Sequence, residues 1–150
     1  MVNKEKKKET EFLLNMFSKP PQTTLGIKKI IKLDPIIGFA LAEYAPKKSM
    51  CHSGNIVQGG FITGWLDAVM ALACMSKVGI NTLVLSLEIK TTFIKKVLPE
   101  SILVTGKVIK SGKTIAFLEG TIIDKKNNIL AKANQTVKLI PDFYNKKNNI

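Results

Sequence analysis

Between Lys48 and Lys77 the chain carries a single formal charge, Asp67. The later part of that window, residues 61–78 (FITGWLDAVMALACMSKV), is apolar on nearly every side of a helix. A helix with no polar face must be buried on all of them. Gly79 is a natural terminator for it. The rest of the chain therefore has to supply material that surrounds one helix.

That material is visible downstream. Leu83, Leu85, Leu87, Ile89 and Phe93 mark one face of a strand, and Ser86, Glu88, Lys90 and Thr92 the other. Further strands are predicted over 101–109, 114–124 and 129–140, with turns at Lys110-Ser111-Gly112-Lys113 and at Asn127-Asn128. Such strands, about 9–12 residues long, exceed the usual ~5–6. A long antiparallel sheet must twist and coil.

Upstream, strands are expected at 25–33 and 38–44, and a loop at 45–60 that contains Pro46, Gly54, Asn55 and the pair Gly59-Gly60. Residues 9–17 read as a short helix, with Phe12 and Met16, and Leu13 and Phe17, on one stripe. Pro20-Pro21 stops it, and its expected role is to dock on the main body. The reading is α+β: a long curved antiparallel sheet wrapped around one central apolar helix. It occupies 25–140, behind a basic segment and short helix at 1–24 and before a basic tail at 141–150.

The formal net charge is +12, and all 23 basic residues are lysine. Electrostatic recognition here uses point charges rather than the guanidinium fork. With 7% aromatics and no nucleic-acid signature, no nucleic-acid partner is expected. Two cysteines, Cys51 and Cys74, make no disulfide framework and are read as reduced thiols. One histidine and two scattered cysteines give no metal-ligand spacing, so no metal is expected. The basic start has no apolar run behind it, and the apolar stretch 61–75 is shorter than the ~18 residues of a membrane span. The expectation is a cytoplasmic protein with no membrane span.

Chemistry concentrates in Cys51-His52-Ser53-Gly54-Asn55-Ile56-Val57-Gln58-Gly59-Gly60, followed by Asp67. Glycines at a helix start let a ligand oxygen approach unpaired N–H groups. The pair is either an oxyanion hole or a tight turn into the helix. Asp67 within apolar surroundings is either a general base or nucleophile, its pKa raised by burial, or a structural acid held by hydrogen bonds. His52, the only histidine, either orients a carbonyl or water or is an ordinary loop residue. Seven residues of helix place Asp67 ~10 Å from Gly60. If both serve one reaction, they come from two antiparallel copies, which points to a two-fold dimer.

This arrangement resembles the hotdog-fold acyl-CoA thioesterases, and within them the phenylacetic-acid-type (PaaI-like) family. The likeness covers residues 25–139. That family's motif is usually His-Gly-Gly followed by an acid nine positions after the His. Here the triplet is Gln58-Gly59-Gly60, and Asp67 stands nine after Gln58. The loop position six before the triplet, often Asn or Gln in the family, is His52, so the two residue types are exchanged. Ser86 falls where some members help to hold the attacking water.

The resemblance implies hydrolysis of an acyl-CoA by a homodimer or dimer of dimers. Gly59 would bind the thioester carbonyl, Gln58 or His52 would polarise it, and Asp67 of the other copy would act as base or nucleophile. No cofactor is implied beyond the coenzyme A of the substrate. Gly60 and the turn Lys110-Ser111-Gly112-Lys113 are the expected substrate-binding groups, the turn as a phosphate cradle; Lys95 and Lys96 are further candidates. The exchanged motif histidine leaves two alternatives: an acyl-CoA-binding module without turnover, or a hotdog dehydratase or hydratase.

Overall fold

A computed structural model describes residues 4–144. The predicted apolar helix is α2, Gly59–Val78. At 20 residues it is longer than the apolar stretch read from the sequence, and by length and composition it could cross a membrane. Instead it is the core: Trp65, Leu66, Val69, Met70, Leu72, Ala73 and Cys74 are fully buried.

Six strands form one antiparallel sheet around it: β1 (Ile27–Asp34), β2 (Phe39–Tyr44), β5 (Leu83–Phe93), β6 (Ile102–Ser111), β7 (Ile115–Ile123) and β8 (Ile129–Ile140). Their order is β1-β2-β6-β7-β8-β5. The predicted loop at 45–60 is more ordered than expected. A two-residue ladder joins β3 (Cys51–His52) to β4 (Ile56–Val57), pairing His52 with Ile56. Gly54 and Asn55 close it in left-handed conformations, φ 73° and 57°.

The helix lies unusually close to the sheet at one row of small residues. Ala40, Gly106, Gly120 and Ala133 are successive cross-strand partners on β2, β6, β7 and β8. A Cβ on Gly106 would stand 2.5 Å from the Val69 carbonyl oxygen, and one on Gly120 would stand 3.0 Å from the Leu66 side chain.

Helix α1 spans Lys4–Phe17, so the lysines predicted to belong to a basic segment are largely helical. It docks as expected. Lys6 Nζ donates to the carbonyls of Ser76 and Lys77 at 3.3 Å, and Glu9 accepts from the Ile80 N–H at 3.4 Å. These contacts cap the C-terminal end of α2. Phe17, at the other end of α1, lies beside Asp67 and Ala68, so the two helices run antiparallel. Trp65 Nε1 donates to the Leu25 carbonyl at 2.8 Å and pins the segment that follows. The basic tail expected at 141–150 lies outside the described residues from position 145 onward.

One expectation reverses in β5. The register passes from Ser86↔Val137 to Glu88↔Thr136, which leaves Leu87 as a bulge. Before the bulge, Val84 and Ser86 oppose buried Leu139 and Val137, while Leu85 opposes exposed Lys138. After it, Ile89, Thr91 and Phe93 take the helix side. Leu85 and Leu87 are therefore exposed and Ser86 faces α2, because one extra residue switches the parity of the strand.

The close approach gives a paired test. Gly106→Ala should destabilise by about 3 kcal/mol, since its obstacle is backbone. Gly64→Ala, whose Cβ would meet only Leu25 at 3.8 Å, should stabilise by about 0.5–1 kcal/mol. Urea titrations of both variants check this.

Candidate active site

Gln58 is the N-cap of α2, and its extended backbone (φ −68°, ψ 137°) turns the chain into the helix. Its Oε1 accepts from the Gly60 N–H at 2.8 Å. Gly60 therefore sits inside the first helical turn with its donor already occupied. The Gly59 N–H, by contrast, has no carbonyl of its own helix within reach. It lies at the positive end of the helix dipole, which favours a partly negative oxygen.

Gly59 opens onto a cleft of about 370 Å³ that is also lined by His52, Ile62, Phe93, Lys95 and Lys96. The small ladder carries His52 to its rim, and the Val57 N–H bonds the Val97 carbonyl at 2.9 Å, tying the loop to the lysine segment. The Phe93 ring backs Gly59 closely: a Cβ there would meet its Cζ at 3.0 Å. The cleft thus joins a backbone donor, a histidine and two lysines, of which Lys95 donates its Nζ to Asn128 Oδ1 at 3.1 Å.

Asp67 is elsewhere on the chain. It lines a different depression, with Phe17, Gln22 and Ala71. It is half-buried rather than enclosed. Ser86 Oγ donates to its Oδ1 at 2.8 Å. Gln135 Nε2 donates to the same oxygen and, at 2.7 Å, to Ser86 Oγ. Both donors use Oδ1, so Oδ2 stays available to accept a proton. Gln135 is buried and its Oε1 has no partner among the described residues. A turned amide would set that oxygen against the carboxylate, so the observed orientation is the favourable one.

The structure brings Asp67 and Ser86 together, and separately His52 and Gly59. Gln58 caps the helix instead of lining the cleft. The Lys110–Lys113 turn is remote from both groups: Val108, just before it, lies with Lys77 around Gly38, at the C-terminal end of α2. Lys95 and Lys96 are the lysines beside the cleft. Gln135 and Phe93 were missed as site residues. Gln135 had a signal, because it is the one polar residue in the alternating series Ala131, Ala133, Gln135, Val137, Leu139. Cys74 is buried in the core, which pushes its thiol up to about 11 and leaves it a poor nucleophile.

A long antiparallel sheet curled on one central helix, with its polar groups gathered at the helix start and mid-helix, defines a hotdog-type domain. The family model of the thioesterase superfamily matches residues 54–131, and the chain belongs to that superfamily. That segment contains β4, all of α2 and strands β5, β6 and β7.

Solved structures agree on the fold. The Escherichia coli PaaI protein from the phenylacetic acid degradation operon superposes with a TM-score of 0.80 at 18% identity, covering 95% of this chain and 98% of that one. A thioesterase family protein from Silicibacter pomeroyi gives 0.80 at 20% identity, covering 89% and 98%. A Haemophilus influenzae thioesterase gives 0.77 at 18%, covering 87% and 90%. No curated protein matches the sequence.

The Asp67 cluster can be tested without substrate. Asp67→Ala and Ser86→Ala should be non-additive in unfolding free energy by at least about 0.5 kcal/mol. Additive effects would mean the two groups do not support each other.

Proposed function

We propose that this protein hydrolyses acyl-CoA thioesters, with each active site assembled from two copies of the chain. The observation that carries the reading is the separation of the two groups: a free helix-start N–H at Gly59 with His52 in one cleft, and an oriented carboxylate at Asp67 in another. Neither is sufficient for the reaction alone.

The unpaired edge of β5 supports a second copy. This strand ends the sheet, and Leu85, Leu87 and Phe93 on it are exposed. A long apolar edge seeks a partner strand. Antiparallel pairing of two β5 edges about Lys90, with Leu87 bulged out of each, would set Ile89 across from Thr91 and Ser86 of one copy across from Phe93 of the other. Because Phe93 packs on Gly59 and Ser86 holds Asp67, the same pairing would bring the carboxylate of one copy toward the helix start of the other.

In such a site the thioester carbonyl accepts from the Gly59 N–H, and His52 adds a second polar group beside it. Asp67 Oδ2 takes a proton from water as the hydroxide oxygen bonds to the carbonyl carbon. The tetrahedral oxyanion is held at the helix start. As the C–S bond breaks, Asp67 returns the proton to the departing thiolate, giving free acid and CoA. Alternatively, the Asp67 carboxylate attacks the carbonyl carbon and expels CoA as its thiolate, and water then cleaves the mixed anhydride to the free acid and the Asp67 carboxylate, its released proton going to the thiolate. Lys95 and Lys96 attract the phosphates of CoA. Water is the only co-reactant.

Asp67→Asn should lower kcat by about 10²–10⁴-fold in a free-thiol release assay over an acyl-CoA panel. Gly59→Pro in a Phe93→Ala background, which frees the space a Cβ would contest, removes one N–H at the first helical position, where proline is tolerated, and should cost about 10²–10³-fold relative to Phe93→Ala alone. Mixing the two inactive variants under subunit exchange should restore activity, because a mixed dimer contains one intact site. No recovery would place both groups in one chain; tight binding without turnover would make the protein a binder. Lys95→Ala and Lys96→Ala should each raise KM with little change in kcat, which initial rates at varied acyl-CoA would show.

A further inference from the structure

The Asp67 depression does not end at Asp67. It holds about 330 Å³ between α1, residues 20–25 and α2, and its lining includes Met16 and Met75. A second cavity of about 440 Å³ begins at the same two methionines and continues past Phe12 to Ile80, Val84 and Tyr144. Among the described residues that line the two cavities, Asp67 is the only charged one. The eight helical residues from Asp67 to Met75 span ~12 Å, and α1 runs antiparallel above them.

We infer that these cavities form one trough for an unbranched aliphatic acyl chain, which leaves its thioester carbonyl at Asp67 and runs beneath α1 between Met16 and Met75 toward Ile80 and Val84. This rests on the thioesterase reading and names the acyl class for it. The floor is helix α2 and the roof is α1, so the N-terminal helix becomes part of the substrate site rather than a docked appendage. Methionine suits the narrow point because its unbranched thioether deforms easily around a passing chain. Small residues widen the start: Gly64, Ala68 and Ala71 line the Asp67 end. With CoA phosphates at Lys95 and Lys96 of one copy, the acyl group would be held by the other.

The test compares acetyl, hexanoyl and decanoyl CoA. Wild-type protein should favour decanoyl over acetyl in kcat/KM. Met75→Trp, which narrows the trough, should reduce that preference at least about tenfold, through the KM of the long substrate. Met16→Trp, at a partly exposed position of α1, should act in the same direction if Met75→Trp fails to fold. The same chain-length series is measured by calorimetry with non-hydrolysable thioether analogues. Affinity that rises with chain length in wild type and flattens in the tryptophan variants supports the trough even if no thioester is turned over, an outcome that would defeat the thioesterase reading alone. Chain-length-independent affinity in wild type, or an unaltered preference in a folded variant, would overturn the inference; the latter would leave the space under α1 to packing or to a second copy.

Discussion

The fold depends on how closely α2 can approach the sheet. In the row Ala40, Gly106, Gly120 and Ala133 the strand backbone meets the helix backbone directly at Gly106, and Gly120 beside it makes room for the Leu66 and Met70 side chains. The Val69 carbonyl and Met70 Cα occupy the space where side chains would stand on Gly106. Packing at that distance lets the larger residues flanking the row, among them Val104, Leu118, Ile122 and Val137, close around the helix flanks. A curved sheet follows: small residues in the middle and large ones toward the ends bring the strands around the cylinder.

The same approach makes Asp67 reachable. A carboxylate projecting from a helix held farther off would need water between itself and the strands. Here it meets Ser86 and Gln135 directly. The β5 bulge is the second requirement. Without Leu87 as an extra residue, a strand whose later half faces α2 through Ile89, Thr91 and Phe93 would present Leu87 inward and turn Ser86 outward. A local irregularity therefore places both a hydroxyl beside the acid and Phe93 behind Gly59. Leu87 is displaced to the exposed edge, where the proposed dimer would use it.

Much of this was legible in the sequence, and the misses have particular causes. A run apolar on every side left α2 no alternative to burial, and its end at Val78 follows from Gly79. The strand over 129–140 was read to its ends, because alternation and turn residues coincide there. The parity of β5 was misread, since counting by twos assumes an unbroken register and the bulge is set by β8, distant in sequence. The 110–113 turn has composition suited to phosphate, but composition carries no position, and the fold puts it by the far end of α2. Gln135 could have been read as a site residue; one amide in an inward apolar series demands a partner. The strand pairing proposed between two copies was beyond local pattern, because it depends on which strand remains at the edge.

The exchange of Gln and His relative to the pattern the chain resembles has a physical consequence at the helix start. Gln58 spends its amide oxygen on the Gly60 N–H, so one of two adjacent glycine donors is already satisfied before substrate arrives. In the proposed site the Gly59 N–H is then the backbone donor left for an oxyanion, and a second polar contribution would come from the side. His52 stands there, carried by a ladder whose tight turn needs left-handed residues at Gly54 and Asn55. On this reading the polarising group has moved from the cap of a rigid helix to the tip of a short ladder, and its position depends on Val57–Val97 and Gln58–Met50 backbone bonds. The Val57–Val97 bond also ties down the segment bearing Lys95 and Lys96, which the Leu130 carbonyl holds as well by accepting from the Ile94 and Lys95 N–H groups. In the proposed site, phosphate attraction and carbonyl polarisation would share that link, so a change in the loop would reach both, while the carboxylate, held by Ser86 and Gln135 of the other copy, would not move with them.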